Sequence, residues 1–281
     1  MTTTPTVAVV ATMDTKGREA EFLSAAVRRR GVLVKGFDIS LRSSPEQHGT
    51  KSEVMRATVA AAARSLLDLV ASGALDGVVA VGGGTGSWLA RHILASLPLG
   101  MPKVLLTTVP GEEPRGDVVE IPTIVDVAGL NEMLRDVLDR GAETICALVR
   151  RNAVPSAPDG RSALAQTMFG VTTTGGEIAR RRLEDLGYEP AVFHANGRGG
   201  RDMEALIAQG RFRGVLDWTL SEITDELLGG ICSAGAERLT AAGYLRSSYR
   251  ARSRWSTSPP RRRPRWRSGD ESSTGTCPTC R

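Results

Sequence analysis

The chain has 281 residues, 41% of them hydrophobic and 4% aromatic, with a formal net charge of +5, a length that suits one large domain or two ordinary ones. Residues 244–281 hold ten arginines against Asp270 and Glu271, which leaves the remainder at −3, so whole-chain basicity does not argue for a nucleic-acid partner. No apolar run reaches the ~18 residues of a membrane span, the N-terminus lacks a basic n-region, and four cysteines are too few for a disulfide framework, so a soluble cytoplasmic protein with no membrane partner is expected.

The Val-rich run TVAVVAT (6–12) reads as a strand buried on both faces, and REAEFLSAAVRRRG, stopped by Gly31, as the helix behind it. VLVKGFDIS (32–40) is a second strand, residues 55–73 a helix, and LDGVVAVGGG (75–84) a third strand. TGSWLARHILASL is a helix, PKVLLTTV (102–109) a fourth strand, and residues 125–151 one long helix opened by Asp126, a residue more often a cap than a metal ligand in such a place. That alternation predicts βαβ units around a parallel sheet.

Residues 151–163 are rich in Pro, Ser and Gly and read as a linker, after which the pattern restarts. Gly31–Asp38 is GVLVKGFD and Gly187–His194 is GYEPAVFH, each a helix stop followed by a strand. The expected fold class is therefore α/β, with two tandem Rossmann-like domains. A nucleotide-binding domain spans 1–150, a second, truncated domain spans 164–243, and an Arg-rich tail covers 244–281. The second rhythm stops too soon for a full doubly wound sheet, which predicts unpaired strand edges and poor solubility.

Ligands of open α/β sheets bind where strand ends lead into helix N-termini. Three loops of the first domain qualify. TMDTKG (12–17) offers Asp14, Thr15 and Lys16, the lysine as a point charge for phosphate beside backbone N–H donors, against the plainer role of a helix cap. VGGGTGSW (81–88) offers Gly82, Gly83, Gly84, Thr85, Gly86 and Ser87. It fits neither the P-loop nor the dinucleotide fingerprint, but a backbone this bare suits an anion. TTVPGEEP (107–114) adds Thr107 and Thr108 as a wall. In the second domain GVTTTGG (170–176) holds the equivalent place, GRGGR with Arg198 and Arg201 could take an anion, and His194 is the histidine placed for acid–base work. Metal-ligand spacing is absent from the body, and CPTC (277–280) is one CxxC where zinc wants two.

MDTKG, VVAVGGGTGSW, LPLGMPKVLLTTV and VDVAGLN, followed by TMFGVTTTGGEIARRRLEDLGYEPAVFHANGRGGRDMEAL and GVLDWTLSEITDELLGG, resemble the Tm-1-like family of ATP-binding proteins. The resemblance runs from about residue 7 to 243. It implies two α/β domains, ATP with Mg²⁺ as an accompanying ion, and a homo-oligomer. By motif it puts Asp14, Thr15, Lys16, Gly82 to Ser87, Thr107 and Thr108 on the nucleotide. The family often has a serine in the glycine loop where this chain has Gly84, and family members continue past Gly243 with a strand this chain lacks. GC-rich codons can be chosen for residues 244–257 so that a shifted frame reads as such a strand, and the tail is therefore read as out-of-frame sequence rather than a nucleic-acid arm. Two other classes stay open: an enzyme acting on a small phosphorylated or acidic substrate between the domains, with Lys16 or His194 as acid–base group, and a nucleotide-stabilised oligomeric interaction protein.

Overall fold

In a computed structural model, which describes residues 4–43, 49–111, 116–152 and 162–238, strands and helices alternate in two parallel sheets. The first is built from β1 (Thr6–Ala11), α1 (Met13–Arg29), β2 (Leu33–Asp38), α2 (Lys51–Ala71), β3 (Gly77–Gly82), α3 (Gly84–Ala95), β4 (Lys103–Thr107), β5 (Val119–Pro122) and α4 (Glu132–Asn152). Its strand order is β2-β1-β3-β4-β5. Val9 pairs with Val79 and Val79 with Val104 across the centre. The central strands are covered on both faces, so β3 and β4 are buried along their whole length, with apolar runs at their centres. One face packs Val9, Val79 and Leu106 with Leu23 of α1 and Leu138 and Ile145 of α4. The other packs Ala8, Val78 and Leu105 with Leu66 of α2 and Leu89 and Ile93 of α3.

Two local expectations need correction. The helix expected over 125–151 begins only at Glu132, because residues 123–131 form a loop with Ile124 at φ 62° and Gly129 at φ 86°. Asn131 is the cap, its side-chain oxygen accepting from the Leu134 amide at 2.9 Å, and Asp126 is not. β5 was not expected at all. It is a four-residue edge strand ending in Pro122, too short and too exposed to show a strand pattern.

The second sheet comprises β6 (Ser162–Met168), α5 (Thr173–Asp185), β7 (Tyr188–His194), α6 (Arg198–Ala208), β8 (Gly214–Leu216) and α7 (Ser221–Leu228). Its order, β7-β6-β8, repeats the β2-β1-β3 arrangement of the first. Its apolar core is small: Ala165, Met203 and Ile207, with Phe193, Phe212 and Val215 against them. A charged cluster lies beside it. The Arg238 guanidinium donates to Glu222 at 2.8 Å, Glu204 at 3.0 Å and Asp217 at 3.0 Å, and the Glu222 side chain is 0% exposed. The expected linker falls largely, and the expected tail wholly, outside the described residues, as do Cys277 and Cys280. Among the described residues no helix is long and apolar enough to cross a membrane.

Cys146 of α4 sits in the first core at 1% exposure, and burial pushes its thiol up from the ordinary value. A neutral, covered thiol is a poor nucleophile. Peptide mapping after iodoacetamide treatment is expected to find Cys146 unmodified in the native chain and modified once denatured. Labelling as fast as a free thiol would contradict this packing.

Candidate functional site

In the order β2-β1-β3-β4-β5 the direction of strand addition reverses between β1 and β3. The loops leaving those two strands turn to opposite faces there, and a crevice opens outside their carboxyl ends. A cleft of about 470 Å³ lies at that place. Thr12, Asp14, Thr15 and Lys16 line it from the β1–α1 turn, and Gly83, Gly84, Thr85 and Gly86 from the β3–α3 turn. Leu41, Arg42, Lys51 and Asp126 complete the wall. The fold thus joins two loops about seventy residues apart that sequence reasoning had selected separately.

The two turns are chemically unlike. The first-turn amides of α1 are all spent. Met13 N–H donates to the Asp38 carboxylate at 3.0 Å, and Asp14 N–H to the Ser40 hydroxyl at 3.1 Å. Thr15 and Lys16 N–H both donate to the Thr12 carbonyl, at 3.1 and 2.8 Å. The expectation that this loop binds phosphate through its backbone is corrected accordingly. What it offers the cleft is side chains: the Lys16 ammonium, set at a break in the helix (φ −123°, ψ 19°), and the Thr15 hydroxyl, which lies 3.0 Å from that of Thr12.

The start of α3 is the opposite case. Gly83 is its N-cap and supplies no side-chain bond. The first amides of a helix have no partner within it, and Gly84, Thr85 and Gly86, which carry those of α3, line the cleft. With the helix dipole behind them they are a ready anion site. Gly82 has a packing role instead. A Cβ there would lie 2.7 Å from both the Gly86 carbonyl carbon and the Ser87 nitrogen, so only glycine lets β3 turn this tightly into α3. At Gly84 a Cβ would meet nothing within 4 Å.

Ser87 and Thr107 lie beneath the cleft, both 0% exposed. The Ser87 hydroxyl donates to the Gly82 carbonyl at 2.8 Å and lies 2.5 Å from that of Thr107, which in turn accepts from Val109 N–H. They brace the glycine turn against β4. Thr108 is half-buried, its hydroxyl 3.9 Å from where a Gly83 Cβ would stand. Arg42, from the β2–α2 connection, and Lys51, the first residue of α2, were not anticipated, since neither sits in a recognisable loop motif. Asp126 was taken for a cap and lies on the cleft wall instead.

The second sheet's loops do not join this cleft. His194 is exposed and packs on Phe169, ring centroids 5.2 Å apart. The anion reading of GRGGR is also corrected. Gly197 N–H and Gly200 N–H, at the start of α6, both donate to the buried Glu222 carboxylate, at 2.7 and 3.0 Å. The site holds an anion, but the chain's own. Arg198 donates to the Gly116 carbonyl and Arg201 to the Ser233 carbonyl, so neither is spare.

Residues 5–65 and 43–154 match the N-terminal domain of the Uncharacterised protein family (UPF0261), and residues 161–246 its C-terminal domain. A UPF0261 protein of Clostridium tetani is 32% identical over 267 residues, covering 84% of this chain and 65% of that one. One of Mesorhizobium japonicum is 32% identical over 262 residues, covering 83% and 64%. The chain thus spans just under two thirds of these bacterial relatives' own length. The tomato ToMV resistance protein Tm-1(GCR237) is 36% identical over 176 residues, 59% of this chain and 23% of that one. Among solved structures, a Trichoderma reesei cutinase aligns with a TM-score of 0.34 at 11% identity over 54% of this chain and 77% of the cutinase, a likeness too slight to carry an argument.

Proposed function

This chain belongs to the UPF0261 family, and from that premise we propose that it binds a nucleoside triphosphate, ATP, in the cleft between β1 and β3. The observation that carries the reading is the uncapped start of α3, which opens onto three cationic side chains, Lys16, Arg42 and Lys51. Backbone donors there would take one phosphate, and the ammonium and guanidinium groups on the other walls the rest. A volume of about 470 Å³ is within the range of small-molecule and cofactor sites. The carboxylate at the end of β2 favours a mononucleotide over a dinucleotide. Asp38 occupies the place where dinucleotide folds hold a ribose, yet it accepts from Met13 N–H and the Ser40 hydroxyl. Self-association, which the resemblance to Tm-1-like proteins implies, remains part of the proposal, to be read as a mass change in light scattering with and without ATP.

Calorimetric titration of ATP into the purified chain tests the reading. Saturable binding is expected, about tenfold weaker in Lys16→Ala, the loss of one charge-assisted contact. A folded chain that takes up no ATP, or one indifferent to Lys16→Ala, would remove the nucleotide from this cleft.

A further inference from the structure

Three helices begin at the cleft. Asp14, Thr15 and Lys16 line it from the first turn of α1, Lys51 is the first residue of α2, and Gly84, Thr85 and Gly86 open α3. The positive ends of three helix dipoles therefore meet there. Lys16 and Lys51 each stand in a first turn, the end of a helix that favours an acid and disfavours a cation. Capping does not account for Lys51. Thr50 N–H donates to the Glu53 carboxylate at 2.7 Å and Glu53 N–H to the Thr50 hydroxyl at 3.3 Å, so α2 is closed without it. Asp14 and Asp126 offset part of the charge on the wall and leave the cations in excess. An anion in the cleft turns this unfavourable placement into an attraction.

The donors also cover the whole width of the cleft. Arg42 and Lys51 follow β2, Lys16 follows β1, and the glycine turn follows β3. Because β1 lies between β2 and β3, this row spans two strand spacings, about 10 Å. A chain of phosphates can meet a donor at each step along it. A nucleobase asks for something else, apolar or aromatic side chains against its flat faces. Leu41 is the one apolar side chain among the described residues lining the cleft, and it packs against the core that holds Leu66 and Leu89.

We propose that the cleft recognises the phosphate chain of its ligand and not the base. Its ligand class is then the triphosphate chain, borne by any nucleoside or free as inorganic triphosphate. The inference rests on the nucleotide reading of the same cleft. It gives Lys51 a part in binding that its place in α2 does not explain.

Calorimetric titration of the unaltered chain and of Lys51→Met with ATP, GTP, CTP, UTP and inorganic triphosphate tests it. The five affinities are expected to agree within about fivefold, and Lys51→Met to weaken all of them by a common factor of about five to ten. The thermal midpoint of Lys51→Met should not fall, because a cation has left a helix N-terminus. A preference for ATP beyond that fivefold range over GTP, CTP and UTP overturns the inference and leaves the nucleotide reading standing. So does a Lys51→Met chain that keeps its affinity for every ligand. Inorganic triphosphate bound without ATP, or no ligand bound at all, overturns both.

Discussion

Arg238→Met is expected to destabilise the second sheet by about 3–5 kcal/mol, the cost of removing one partner from a buried ionic cluster. Three carboxylates share this guanidinium. The Glu222, Glu204 and Asp217 side chains are 0%, 13% and 17% exposed. Glu222 would keep its two amide donors from α6, but Asp217 already has one buried oxygen, Oδ2, with no partner. Without the arginine the three would repel one another in a place that water reaches poorly. The apolar core of this sheet is too small to absorb such a loss. Urea unfolding followed by fluorescence measures the deficit. A loss under about 1 kcal/mol at pH 7 would mean that the cluster is solvated and unimportant.

The second large effect is expected at Gly82. Alanine there would put its methyl 2.7 Å from two backbone atoms of α3, a contact that no side-chain rotation relieves. Either β3 or α3 must move, at about 3 kcal/mol, the upper end of ordinary overpacking. Such a shift would also displace the open amides of Gly84 and Gly86, so ATP affinity should fall with stability. Gly84→Ala is the control, because the space beside it is empty; its thermal midpoint should stay close to that of the unaltered chain, within about 0.5 kcal/mol. Equal behaviour of the two variants would show that the turn has slack the geometry does not suggest.

Much of the fold was legible because its central strands are buried on both faces. The middles of β1, β3 and β4 are apolar because both faces are covered, so runs of Val, Ala and Leu gave them away. What escaped lacked that constraint. β5 is an exposed edge, and the start of α4 was misread because VDVAGLN has apolar spacing compatible with a helix, while the positive φ of Ile124 and Gly129 makes it a loop. For the site, the glycine turn and Lys16 were visible as strand-to-helix loops. Arg42 and Lys51 were not, because a cation in an undistinguished connection has no local signature and joins the cleft only through the path of the chain. Nor could sequence separate the two glycine-rich turns, of α3 and of α6. They differ in what lies opposite, and the carboxylate that fills the second comes from Glu222, 25 residues from Gly197.

Every residue lining the cleft falls between Thr12 and Asp126, and the sheet behind it is closed by α4, which ends at Asn152. On the ribosome this has a temporal meaning. Domains generally fold as units, N-terminal first, while synthesis adds about 5–20 residues per second. Once α4 has left the exit tunnel every residue of the cleft is outside it, while those that follow are still in the tunnel or being made. A small molecule bound at that stage stabilises a half-built protein by mass action and spares its apolar faces from competing contacts. Cellular ligand concentration would then influence how much of the chain matures, before the finished molecule has performed any task.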